Sequence, residues 1–184
     1  MGSRTSNQNT FTGFSSNLDY RSYISYSIPQ STRAFTSAVI RVNTADIRNG
    51  PNDLTVYDVS SDIATATGAD LYADFGSGTI LGSITGLSTS NATIDITLNA
   101  DGLAAVNAAQ GSTISFGFVS SPTTAASDGV FGATNGSTLR QLILTPTVDA
   151  PDPVPTMSEW AMILFGLGLA GGAAVYTQRR RVFA

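Results

Sequence analysis

Thr93–Phe118 reads TIDITLNADGLAAVNAAQGSTISFGF, and its three hydrophobic rhythms decide the fold. Ile94, Ile96 and Leu98 recur every second residue, which predicts a half-buried strand. Asn99-Ala100-Asp101-Gly102 then supplies a helix start, Leu103, Val106 and Ala109 share one helical face, and Gly111 supplies a stop. Ile114, Phe116 and Phe118 alternate with Ser115 and Gly117, predicting a second strand.

The same period of two recurs outward from this stretch. Ile24, Tyr26 and Ile28 alternate with Ser25 and Ser27 until Pro29 ends the run. Ala38, Ile40 and Val42 alternate with Val39, Arg41 and Asn43. Leu54–Val59 is β-branched and aromatic and follows the turn-like Asn49-Gly50-Pro51-Asn52-Asp53. Thr79–Thr85 predicts a strand with Gly82 inside it, a sign of a bulge or weak pairing. Leu139–Leu144 predicts a last strand, closed by Pro146. A short turn is expected over Ser60–Ala66. Seven or eight short strands with polar turns predict a mainly β, antiparallel sandwich of jelly-roll type with one or two short helices.

The expected organisation is a polar N-terminal segment (1–18), the β-sandwich (19–146), a Pro-rich linker (147–156) and a C-terminal tail (157–184). The N-terminus, MGSRTSNQNT, has no apolar core of the kind a secretory signal peptide needs. Met1-Gly2 with Ser6 fits only a loose acylation pattern.

Composition narrows the chemistry. Charged residues are 12% of the 184, and there is no Cys, no His and no Lys; all nine basic residues are Arg. A disulfide framework, a thiol nucleophile, an imidazole base and a Lys Schiff base are therefore all absent. A Ser–His–Asp triad cannot be assembled. Residues 1–150 hold six Arg against eleven Asp, a net of −5, which opposes nucleic-acid binding. The expectation is a non-catalytic body with no cofactor and no assigned metal site.

Four further patterns bear on function. Gly76-Ser77-Gly78-Thr79-Ile80-Leu81-Gly82 is Gly-rich, but its spacing and the lack of a βαβ unit argue for a loop and strand. Asn91-Ala92-Thr93 and Asn135-Gly136-Ser137 fit the glycosylation sequon and read as turns. Asp58 with Asp62, and Asp70 with Asp74, offer oxygen pairs of a kind that can hold Ca²⁺, but without an EF-hand-like register they read as solvated turns and caps; Asp pairs could in principle serve a two-carboxylate hydrolase, and nothing points to a particular pair. Tyr20, Tyr23, Tyr26, Tyr57 and Tyr72 suit either a sugar-stacking platform or, for Tyr26 and Tyr57, the sandwich core.

The tail carries the sharpest signal. Trp160–Tyr176 has no charge, spans about 25 Å as a helix, and has aromatic residues at both ends, as interfacial anchors do. Arg179, Arg180 and Arg181 follow and predict a cytoplasmic C-terminus by the positive-inside bias. Gly168 and Gly172 form a G-x-x-x-G. An apolar run of this kind, uniform around the helix and ending in charge, is a poor core helix.

Val154-Pro155-Thr156-Met157-Ser158-Glu159-Trp160, the apolar helix and the three Arg together resemble the IPTL-CTERM sorting signal, a sister of the bacterial PEP-CTERM signals. Val154, Met157 and Ala161 replace the Ile, Leu and Gly of that pattern. The resemblance implies export, transient residence in the bacterial inner membrane, and cleavage near the motif by an exosortase-type membrane transpeptidase. The body would then be released or attached at the cell surface or in extracellular matrix, a setting of biofilm polysaccharide. Proteins with this signal normally carry an N-terminal secretion signal, which MGSRTSNQNT does not display. YRSYISYSIP, FTSAVIRVNT, LTVYDVSSDIATATG and the stretch quoted first also resemble extracellular β-sandwich domains found with such signals. The alternative expectation is a carbohydrate-binding module for extracellular polysaccharide, with or without Ca²⁺.

Overall fold

The structure is a computed structural model that describes residues 10–121, 127–132, 139–148 and 157–182. Its contacts divide the chain into two compact units, with the boundary between Thr147 and Val148.

The first unit is built from antiparallel sheets. One contains β1 (Phe11–Ser15), β2 (Leu18–Tyr20), β4 (Phe35–Arg48), β7 (Ala92–Thr97), β9 (Ser127–Gly132) and β10 (Arg140–Pro146), in the order β10-β4-β9-β1-β2 with β7 also paired to β4. The other contains β3 (Ser22–Ser27), β5 (Asn52–Asp58), β6 (Ile80–Leu87) and β8 (Thr113–Ser121), in the order β3-β8-β5-β6. The chain changes sheet repeatedly: β2 to β3, β3 to β4, β4 to β5, β6 to β7, β7 to β8 and β8 to β9. The body is thus mainly β and antiparallel, as its alternating pattern predicts.

Alternation explains the core. Ile40 sits opposite both Ile96 and Leu142 in register, so one row of the first sheet presents three apolar side chains to the same side. In the second sheet Val56 faces Phe118, and Ile24 faces Phe116. All of these join a single hydrophobic cluster, in which Ile40, Val56, Ile96 and Phe116 are fully buried. Each such side chain contributes roughly 1.5–3 kcal/mol by leaving water. The opposite face of β4 carries Arg41, whose guanidinium makes two 2.6 Å bonds to Asp95 on β7. That pair is exposed and adds little stability.

The helix α2 (Ala100–Ala108) forms where its start and stop signals predict. The Asn99 side chain accepts a hydrogen bond from the Gly102 N–H at 2.9 Å, satisfying one of the orphan donors of the first turn. Val106 is fully buried, and Leu103 and Ala109 pack against the same core. Gly82 explains its place within β6. It bridges Leu98, and a Cβ on it would lie 3.0 Å from the Thr97 carbonyl oxygen. The edge of one sheet thereby meets the edge of the other, and the ladder between β5 and β6 shifts register at Val56/Tyr57.

A second helix, α1 (Gly68–Asp74), lies C-terminal to the turn expected over Ser60–Ala66. Thr67 caps it, accepting from the Asp70 N–H and donating to the Asp70 carboxylate. Leu71 and Phe75 are buried, yet neither belongs to the main core. They pack instead on the other face of the second sheet. The marker is Gly117 of β8, where an added Cβ would lie 2.7 Å from the Phe75 Cα. Tyr23 and Tyr57 flank Gly117 in register, and the Tyr23 ring lies 5.2 Å from that of Phe75.

Candidate functional site: the C-terminal apolar helix

The second unit contains α3 (Met157–Val182), 26 residues long. At 1.5 Å per residue this is about 39 Å. The segment Glu159–Arg179 is, among the described residues, the one helix long and apolar enough to cross a membrane, and none of it is buried. Its 21 residues span about 31 Å, close to the hydrocarbon thickness of a bilayer. The helix is longer than the uncharged run Trp160–Tyr176 because it continues through Thr177, Gln178 and the arginines. The Thr177 hydroxyl donates to the Ala173 and Ala174 carbonyls at 3.0 and 2.9 Å, so a polar side chain is satisfied without leaving the helix.

Apolar side chains surround the axis. Met162, Ile163, Leu164, Phe165, Leu167, Leu169 and Val175 are all exposed. A helix apolar on every side suits lipid, because its backbone groups are bonded internally and its side chains match the solvent. Trp160 and Tyr176 are exposed near its two ends, where indole and phenol suit the bilayer interface. A Cβ added at Gly168 or Gly172 would meet nothing within 4 Å beyond the helix's own nearby backbone.

The sorting-motif residues fall in two groups. Val154, Pro155 and Thr156 lie outside the described residues. Met157, Ser158 and Trp160 lie in the first turn of α3, with Glu159 between them. Arg179, Arg180 and Arg181 lie in its last turn, where cations complement the negative end of the helix dipole.

The body's candidate sites separate rather than converge. Asp58 accepts from the Thr79 N–H at 2.6 Å. Asp62 accepts from the Ala64 N–H and the Thr65 hydroxyl. Asp70 belongs to the cap of α1. Asp74 accepts from the N–H groups of Ser60 and Ser61 and the Ser60 hydroxyl. Partial burial pushes the Asp74 carboxyl up, but these hydrogen bonds outweigh it and hold the group below its ordinary value. Each carboxylate is therefore engaged by turns and caps. Among the described residues no group of three or more acidic side chains is placed to hold a metal ion.

The tyrosines are likewise divided. Tyr20 meets Phe11 edge-on at 5.3 Å. Tyr72 donates to Asp19 at 2.5 Å and carries the Arg21 guanidinium 4.2 Å above its ring, while Arg21 bonds the Tyr72 carbonyl at 2.7 Å. These contacts pin α1 to the β2–β3 segment. Tyr26 packs into the core, and burial raises its hydroxyl to about 12 against the opposing pull of Arg140. Tyr57 does not join that core: it alternates with the buried Val56 and so lies on the face that carries α1. The Gly-rich stretch is a loop leading into β6, and Asn91 sits in a turn with φ +55°. Asn135, Met1, Gly2 and Ser6 lie outside the described residues.

The combination defines a class: a β-rich body followed by a membrane-length helix that ends in arginines. Within that class, residues 152–181 match the IPTL-CTERM motif. The chain therefore carries this sorting signal, which points to an exported protein anchored in a membrane and processed at its C-terminus by a membrane-associated sorting enzyme. The match covers the tail and leaves the body unassigned. No curated protein and no solved structure matches the chain.

Proposed function

We propose that this chain is an exported bacterial surface or extracellular-matrix protein with a structural, non-catalytic body of jelly-roll type. An exosortase-type transpeptidase cuts near Val154, Pro155, Thr156, Met157, Ser158 and Trp160 while α3 sits in the inner membrane. Arg179, Arg180 and Arg181 hold the C-terminal end in the cytoplasm, and the body lies on the other side. The observation that carries this reading is the coincidence of the 152–181 motif match with a helix of membrane length.

A non-catalytic body is supported by the scattered, internally bonded carboxylates and by a composition without imidazole, thiol or amine side chains. The tyrosine placement favours a structural role over a sugar platform, since Tyr20, Tyr23, Tyr26 and Tyr72 are engaged by Phe11, Phe75, Phe116 and Arg21 in turn. The test is paired substitution in a host that makes the sorting enzyme. Pro155→Ala with Thr156→Ala is expected to leave full-length protein in the membrane fraction, while the unaltered chain is shortened. Equal shortening of both would show that cleavage does not depend on the motif.

A further inference from the structure

We infer that the body holds a site for one internal water, between Asn52 of β5 and Ser120 of β8. Asn52, Leu54 and Val56 are the buried alternate positions of β5, and Phe116, Phe118 and Ser120 are buried on β8. Leu54 pairs with Ser120 in the antiparallel register. Asn52 stands two residues before Leu54, so Asn52 and Ser120 are diagonal neighbours on one face of the second sheet. Asn52 is fully buried and Ser120 is 3% exposed. The partners of Asn52 fix which end of its side chain is the amide nitrogen. Nδ2 donates to the Arg48 carbonyl at 2.9 Å and to the Gly129 carbonyl at 3.3 Å, and two carbonyl acceptors admit only the NH₂ end. These bonds tie the second sheet to β4 and β9 of the first. They also use both amide protons and leave Oδ1 to find a donor of its own.

Among the described residues, neither Asn52 Oδ1 nor Ser120 Oγ has a hydrogen-bond partner. A buried oxygen without a donor is costly, because its lost hydration is not replaced. The two oxygens do not bond each other, and diagonal neighbours stand about 7–8 Å apart, a separation that one bridging molecule spans. That molecule has to donate to Oδ1, which only accepts, and to exchange a bond with a hydroxyl. It also has to be small. Leu87 faces Asn52 from β6, and Leu54 lies beside it; both belong to the packed core. Water meets each requirement, and buried waters sit on polar groups that the protein otherwise leaves unsatisfied. A divalent cation is held chiefly by carboxylates. Both of these oxygens are neutral, and the buried Asp128, which precedes Gly129, is itself engaged. With the water in place, a hydrogen-bonded path runs from Gly129 through Asn52 to Ser120. It joins β9 to the end of β8, where the chain leaves the second sheet.

The experiment is a crystal structure of the full chain grown in a lipid phase, with water-to-amide cross-relaxation measured by NMR on the full chain in detergent. The expected result is one ordered water at about 2.7–3.2 Å from both oxygens and cross-relaxation from a long-lived water to amides of β5 and β8 at this site. Ser120→Val, which replaces the hydroxyl by methyl groups, should abolish that cross-relaxation while the amides of β4 and β7 keep their shifts. A direct bond between Asn52 and Ser120, or the absence of both density and cross-relaxation in the parent chain, would overturn the inference. So would contacts of about 2.3–2.6 Å to an atom that a chelator removes, which mark a cation. The parent measurements decide the matter even if Ser120→Val does not fold.

Discussion

Gly117→Ala isolates the contact that seats α1 on the second sheet. A Cβ at this position would lie 2.7 Å from the Phe75 Cα, 2.8 Å from its carbonyl oxygen and 3.0 Å from its Cβ. Carbon atoms pack at about 3.5–4.0 Å, so the backbone at Phe75 must retreat by up to about 1 Å. Two effects oppose each other. Replacing Gly within a strand is worth roughly 0.5–1 kcal/mol in favour of Ala. Forcing a methyl into a filled site costs about 1–3 kcal/mol, and here the obstacle is main chain rather than a side-chain tip. The retreat also loosens the buried Leu71 and Phe75 and the Tyr23–Phe75 ring pair. The expected net is a loss of about 1–2 kcal/mol. Urea unfolding of the full chain in detergent, followed by tyrosine near-ultraviolet dichroism, measures it. Amide exchange should quicken in residues 68–76 while β4 and β7 stay protected. Stability equal to or above that of the parent, with exchange in α1 unchanged, would refute the packing argument.

Other outcomes follow from single groups. Asp74 has a lowered pKa in the folded state, so its contribution is present above the unfolded value and lost as pH falls through the folded one. Asp74→Asn should therefore reduce stability at pH 7 and make little difference in strong acid, as read from urea midpoints across that range. Tyr26 has a pKa raised to about 12. Its contribution is complete below the unfolded value of about 10 and lost as pH rises toward 12. The parent should lose stability through that alkaline window, and Tyr26→Phe should lose less.

Period-two alternation exposed every strand whose inward residues are large and regularly spaced: β3, β4, β5, β7, β8 and β10 were legible, and so was α2 from its cap and its apolar face. Strands β1 and β9 were not. Phe11–Ser15 and Ser127–Gly132 contain glycine and hydroxyl residues in place of alternating aliphatics, and their mutual pairing supplies what their sequences lack. The β1–β2 hairpin turns on Ser16 and Asn17, both at positive φ, a pair without the Asn-Gly signal that marks such turns. Helix α1 was hidden because its apolar pattern is only Leu71 and Phe75, and because it packs outside the main core. The tail was the most legible part, since lipid imposes length, uniform polarity and end charges on a continuous segment. The acidic and aromatic pairs were ambiguous for the opposite reason. Their meaning depends on partners far away in sequence, such as Asp19 with Tyr72 and Ser60 with Asp74.

On the proposed reading, α3 is an address removed from the body. Backbone within a helix has its carbonyls bonded and presents no extended strand to a peptidase, so the cut should fall on the N-terminal side of Met157, where α3 begins. The direct measurement is the intact mass of the mature protein from a host with the sorting enzyme and from the same host without it. A body ending before Met157 is expected only where the enzyme is present. A mature protein that retains Trp160–Arg181 in both hosts would contradict it and leave α3 as a permanent anchor.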